Sequence, residues 1–157
     1  MGTDLIAIRP MSPEDVAAAA ALEARHQPAP WSERVLRDEL AADNRIYMVV
    51  DDGSVAGFGG VMVVGDEAHV TNLLVDPRVR RQGVRRRLLV ALVSAAVDTG
   101  ARHLTLEVRS ANAPARALYA SVGLAPVGVR PGYYGDDDAL IMWAHDIDSP
   151  EFRERLS

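Results

Sequence analysis

The chain has 157 residues, a formal net charge of −5 and no cysteine. The length suits one domain with one core, and 48% hydrophobic against 25% charged residues is the mix of a soluble globular protein, not a disordered chain. Lack of cysteine excludes disulfides, thiolate metal sites and thiol nucleophiles, and the mild acidity argues against non-specific nucleic-acid binding. No apolar run reaches the roughly 20 residues of a membrane span, and residues 1–10 lack a signal pattern, so the cytoplasm is the expected compartment.

Leu5 to Arg9 reads as a short strand. Ser12-Pro13-Glu14-Asp15 is a helix start, with Ser12 as cap and Pro13 in the first turn, and an Ala-rich helix follows to Arg25. After a loop with two prolines, Ser32 caps a second helix through Leu40. Ile46–Val50, Asp51-Asp52-Gly53 and Val55–Val64 form a hairpin. Asp66–Val75 is the next strand. From Gly83 the pattern turns helical, with Val84, Leu88, Leu92 and Ala95 in step and Gly100 at the C-terminal cap. His103–Arg109 alternates as a strand, Ala113–Val122 is a helix ended by Gly123, and Ala125–Arg130 and Ala139–Ala144 are two last strands. With no repeat or linker, these elements predict one α+β domain over 1–148, a mixed, mostly antiparallel sheet flanked by helices. Residues 149–157 read as a polar tail.

Basic charge is concentrated. Arg78, Arg80, Arg81, Arg85, Arg86 and Arg87 crowd the passage from strand to helix around Gly83. A helix N-terminus presents N–H groups and partial positive charge to an anion, glycine lets backbone approach it, and arginine adds paired donors. The plainer reading is a solvated basic face, and charge alone does not separate the two.

The run Arg80-Arg81-Gln82-Gly83-Val84, preceded by Val75-Asp76-Pro77, resembles the coenzyme-A signature of the GNAT N-acetyltransferases. Arg85 stands where that family has Gly or Ala, and we expect it to face the phosphates. Trp31-Ser32-Glu33, Asp66-Glu67-Ala68, Leu106-Glu107-Val108-Arg109, Ala117-Leu118-Tyr119 and Tyr133-Tyr134 followed by Asp138-Ala139 are similar, in the same order, to the ribosomal-protein-alanine (RimI) type. Leu124 replaces the phenylalanine usual after Gly123. The resemblance implies a GNAT fold and acetyl-CoA as co-substrate, with no metal. It implies coenzyme contacts at Arg80, Arg81, Gln82, Gly83, Val84, Arg85, Arg86 and Asn112. It also implies strand-like pairing of the coenzyme arm with the backbone of Leu73, Leu74 and Val75.

Acetyl transfer to an amine needs a neutral amine, a polarised thioester and a proton for the leaving thiolate. A peptide α-amine, with a pKa of about 7.7–8.0, asks less of a base than lysine at about 10.4. Glu107 shares a strand face with Thr105 and Arg109; on its own it reads as a surface carboxylate paired with an arginine. Tyr119 on its own reads as a packed helical tyrosine, and Asn112 as a helix cap. The resemblance makes Glu107 the base and Tyr119 the acid. It places Trp31, Glu33, Tyr133 and Tyr134 on the substrate side, where the plainer reading is loop anchoring. His26, His69, His103 and His145 lack metal-site spacing and read as single satisfied histidines. The expected acceptor is a protein N-terminus, with a ribosomal protein implied by resemblance. Alternatives are lysine or small-amine acetylation and a weakly active coenzyme-A-binding module; nucleic-acid and membrane partners are not expected.

Overall fold

The computed structural model describes residues 5–156, except the side chains of Arg80, Arg81 and Gln82. Its strands are β1 (Ala7–Pro10), β2 (Arg45–Asp51), β3 (Val55–Val64), β4 (Glu67–Val75), β5 (His103–Arg109), β6 (Ala125–Arg130) and β7 (Ala139–His145). Its helices are α1 (Val16–His26), α2 (Glu33–Ala41), α3 (Val84–Asp98), α4 (Ala113–Ser121) and α5 (Pro150–Leu156), with 3-10 turns at Pro13–Asp15 and Pro77–Gln82. The seven strands form one sheet in the order β1-β2-β3-β4-β5-β7-β6. Pairing is antiparallel for β1–β2, β2–β3, β5–β7 and β6–β7 and parallel for β4–β5, the mixed sheet that the sequence predicts. The chain divides into two compact units, Met1–Met62 with Thr71–Ala95 and Val63–Val70 with Ala96–Ser157.

In the first unit, α1 buries Val16, Ala19 and Leu22, and α2 buries Leu36, in a core with Tyr47, Val49, Phe58 and Leu74. Gly60 on β3 leaves room for the Tyr47 ring, which any Cβ there would strike. The expected Ser12 cap works in reverse. The Asp15 carboxylate accepts from the Ser12 N–H at 2.8 Å and the Ser12 hydroxyl at 3.0 Å. Arg9 donates twice to the same carboxylate, at 2.8 and 2.9 Å, and this pairing holds the buried Asp15 carboxyl down at about 2. At the end of α1, Glu23 is 3% exposed, and one of its oxygens accepts from the Trp31 N–H at 3.2 Å. Burial pushes its carboxyl above the usual range.

In the second unit, β5 alternates as its sequence predicts. Leu104, Leu106 and Val108 are buried, while His103, Thr105, Glu107 and Arg109 lie on the other face. Met142 and Ala144 of β7, Ala115 and Tyr119 of α4, and Leu124 are buried in this unit too. The polar C-terminal segment forms α5, whose Phe152 is 5% exposed and lies against Gly123. One buried apolar side chain among seven residues, at the right place, docks a helix that average polarity does not reveal.

Candidate active site

The turn after β4 is built mainly from backbone. Asp76 caps the 3-10 turn by accepting from the Arg78 N–H at 3.1 Å. The Arg78 guanidinium pairs with Asp52 at 2.6 Å and with Asp76 at 3.4 Å. Hydrogen bonds from Arg78, through its side chain to Asp52 and chiefly through its backbone to Asp76, hold both carboxyls below the usual range. Gly83 follows with φ 66°, a left-handed conformation that side chains with a Cβ resist. A Cβ there would meet nothing within 4 Å, so conformation, not crowding, calls for glycine, and the space over it is open. The first bond of α3 runs from the Arg87 N–H to the Gly83 carbonyl at 3.0 Å.

Leu74, Val75 and Val84 are buried, so their side chains belong to packing and only their backbone can serve a ligand. Arg85 and Arg86 are half-buried. The arginine cluster is partly structural, since Arg78 is paired as above and Arg87 donates to the Ile6 carbonyl at 2.8 Å. The expected contacts at Arg80, Arg81 and Gln82 concern side chains outside the described residues.

The open face of β5 carries the chemistry of the second unit. Glu107, 14% exposed at its side chain, lies 3.0 Å from Nε2 of His69 on β4. The backbone partner of His69 is Thr105, so this is a diagonal cross-strand contact. With Glu107 ionised, Nε2 donates the proton and the other carboxylate oxygen remains an acceptor. The arginine partner that the strand pattern suggests for Glu107 is engaged elsewhere. Arg109 pairs with Asp136 at 2.6 Å and lies 4.5 Å over the Tyr134 ring.

Tyr133 and Tyr134 pack edge to face, centroids 5.0 Å apart, on a loop tied by its own acids. Asp138 accepts from the Gly132 N–H at 2.8 Å, and Asp137 from the Ala111 N–H at 3.0 Å. Tyr133 is exposed and Tyr134 half-buried, and burial raises the Tyr134 phenol above its ordinary value. Tyr119 is 8% exposed on α4, and Asn112 performs the capping role, accepting from the Ala115 N–H at 3.2 Å.

Trp31 packs half-buried against the core of the first unit, and Glu33 pairs with Arg37 at 2.8 Å on the exposed face of α2. Three histidines are paired, not single. His69 meets Glu107, and His103 meets His145 across β5 and β7, Nδ1 to Nδ1 at 3.0 Å. Strand alternation puts His69 on the open face, but its distance of 38 residues from Glu107 hides the pairing until register is known.

This sheet and glycine turn define an acyltransferase framework, and residues 14–124 match the Acetyltransferase (GNAT) family model. The chain belongs to the GNAT acetyltransferase family. The [ribosomal protein bS18]-alanine N-acetyltransferase of Escherichia coli (strain K12) is 38% identical over 132 residues, covering 82% of this chain and 89% of that protein. The crystal structure of the ribosomal-protein-S18-alanine N-acetyltransferase from Escherichia coli superposes with a TM-score of 0.82 at 35% identity, covering 90% of this chain and 94% of that one. Arabidopsis thaliana NAA60 in complex with acetyl-CoA shares the fold at a TM-score of 0.83 and 17% identity, covering 92% of this chain and all of that one.

Proposed function

We propose that this enzyme transfers an acetyl group from acetyl-CoA to the N-terminal α-amine of a protein. An alanine-initiated ribosomal protein, the acceptor named for the relatives, is the first candidate. The observation that carries the reading is Glu107, mostly buried and oriented by His69 Nε2 at 3.0 Å. A fixed carboxylate of this kind suits an α-amine, of which a useful fraction is already neutral near pH 7.

The turn fits the coenzyme. Open space over Gly83 suits a pyrophosphate approaching the backbone N–H groups at the head of α3, where Arg85 and Arg86 are half-buried; the family resemblance adds Arg80, Arg81 and Gln82 as further expected contacts. Leu73, Leu74 and Val75 offer backbone to the coenzyme arm, and Asn112 adds an amide. Bound acetyl-CoA supplies the activated acyl group. Glu107 takes a proton from the amine nitrogen as it attacks the acyl carbon, forming the C–N bond. The C–S bond then breaks, and the Tyr119 phenol delivers a proton to the departing sulfur. By the family resemblance, Trp31, Glu33, Tyr133 and Tyr134 are the acceptor-side candidates in this reading.

Among the described residues no helix is long and apolar enough to cross a membrane, and a ribosomal acceptor places the work in the cytoplasm. The test is acetyl-CoA turnover across peptides differing in their first residue, with N-terminally blocked lysine peptides alongside. Selectivity for an N-terminal Ala supports the reading. Preference for internal lysine overturns the acceptor, and coenzyme binding without turnover supports the binding module that Arg85 leaves open.

A further inference from the structure

The face that carries Glu107 continues along β5 and β7 into a second group of side chains. Thr105 lies opposite Trp143, and His103 opposite His145, all on the face of Glu107. Glu67 of β4 is the partner of His103 and shares that face. On β6 the register slips between Pro126 and Gly128, so Val127 sits in a bulge, 61% exposed. Bulges re-aim side chains next to sites. Glu67, His103, Val127, Trp143 and His145 line one surface depression.

The depression has the chemistry of a cation subsite. The Trp143 ring stacks on His145 with centroids 5.7 Å apart and 12° between planes, which fixes the indole. His103 meets His145 edge-on at 5.0 Å and lies 3.7 Å from the Asp66 carboxylate. A fixed indole and the Glu67 carboxylate in one depression, with Val127 as an apolar wall, match a guanidinium on an aliphatic stem. The plane stacks on the indole, the fork meets a carboxylate and the methylenes cover valine.

Spacing ties the depression to the acceptor. Same-face residues on a strand are about 7 Å apart, so the His103–His145 row lies about 13 Å from Glu107. An extended chain advances about 3.4 Å per residue and covers that distance in about four residues. We propose that the Trp143–Glu67 depression binds an arginine side chain of the acceptor, three to five residues beyond the residue acetylated. This rests on the N-terminal-amine reading above.

The test uses alanine-initiated peptides, neutral apart from one Arg moved through positions 3 to 6, with KM and kcat read separately on the full chain. Arg at one of positions 4 to 6 should lower the peptide KM about tenfold against Ala there, at constant kcat, with position 3 as the control that gains nothing. Trp143→Ala and Glu67→Gln should each abolish that preference while leaving the KM of the neutral peptide alone; Glu67 is exposed, so its variant is the safer fold. No positional preference, equal gain from Phe, or equal KM changes for neutral and arginine peptides would overturn the subsite and leave the N-terminal reading standing. No turnover of any N-terminal peptide by the wild type overturns both.

Discussion

The turn at 76–84 and the open face of β5 are organised on opposite principles. In the turn, most polar contacts are local or backbone-made: Asp76 caps Arg78 two residues on, and Gly83 is needed for its φ. On the β5 face the histidine contacts are side chains reaching another strand, His69 to Glu107 across 38 residues and His103 to His145 across 42. A backbone site tolerates side-chain changes and fails when its geometry is disturbed. A cross-strand site keeps its geometry, because the sheet holds it, and fails when one side chain loses its atoms.

The largest effect should come from the face. Glu107→Gln keeps shape and packing but removes the proposed base, so kcat on an N-terminal peptide should fall about 10²–10⁴-fold. Coenzyme KM should stay level, as steady-state kinetics can show. A rise in coenzyme KM at constant kcat would make Glu107 a binding residue and dissolve the contrast. In the turn the largest response should follow the backbone. Gly83→Val forces a β-branched residue into positive φ, costs about 1–2 kcal/mol of strain and should raise coenzyme KM at least tenfold. Arg85→Gly in the same turn should weaken coenzyme binding only a few-fold, the scale of one exposed ion pair. Much tighter binding would show that Arg85 crowds the phosphates.

The same contrast explains what could be read from the sequence. The turn was legible because its determinants are consecutive: a strand ending in Val75, Asp76-Pro77, arginines and Gly83. The strands were legible because β5 alternates and the Asp52-Gly53 turn closes a hairpin. The Glu107–His69 pair was not, because alternation puts each residue on a face without saying which strands adjoin. The Trp143–Glu67 depression needs three registers and a bulge at Val127. Helix α5 was missed because Phe152 is its one deeply buried side chain. Arg78 looked like part of an anion site, yet its partner Asp52 is 26 residues away in the β2–β3 hairpin.

An intermediate effect separates orientation from chemistry on the β5 face. His69→Ala removes the hydrogen bond to Glu107 and should lower kcat about tenfold, the worth of one charge-assisted bond. His69→Gln retains an N–H donor and should recover most of the loss. Equal loss in both variants would mean that the imidazole carries a proton itself instead of positioning the carboxylate.

The smallest effect is expected at the side-chain pairs of the turn. Asp52 and Asp76 have carboxyls held below the ordinary value, Asp52 mainly by the Arg78 side chain and Asp76 mainly by its backbone N–H. Groups lowered in the folded state add stability above the unfolded pKa, about 3.9, and that contribution disappears as pH falls through the folded value. Asp52→Asn should therefore lower unfolding free energy at pH 7 by about 0.2–1 kcal/mol, as for exposed ion pairs. The difference from wild type should shrink below pH 4 and in 1 M salt, where the Debye length is about 3 Å. Denaturant unfolding at pH 7 and pH 3 measures it. A loss several times larger, insensitive to salt, would mean that the Asp52–Arg78 pair and not the backbone holds the turn in shape, and the contrast with the β5 face would then be one of degree.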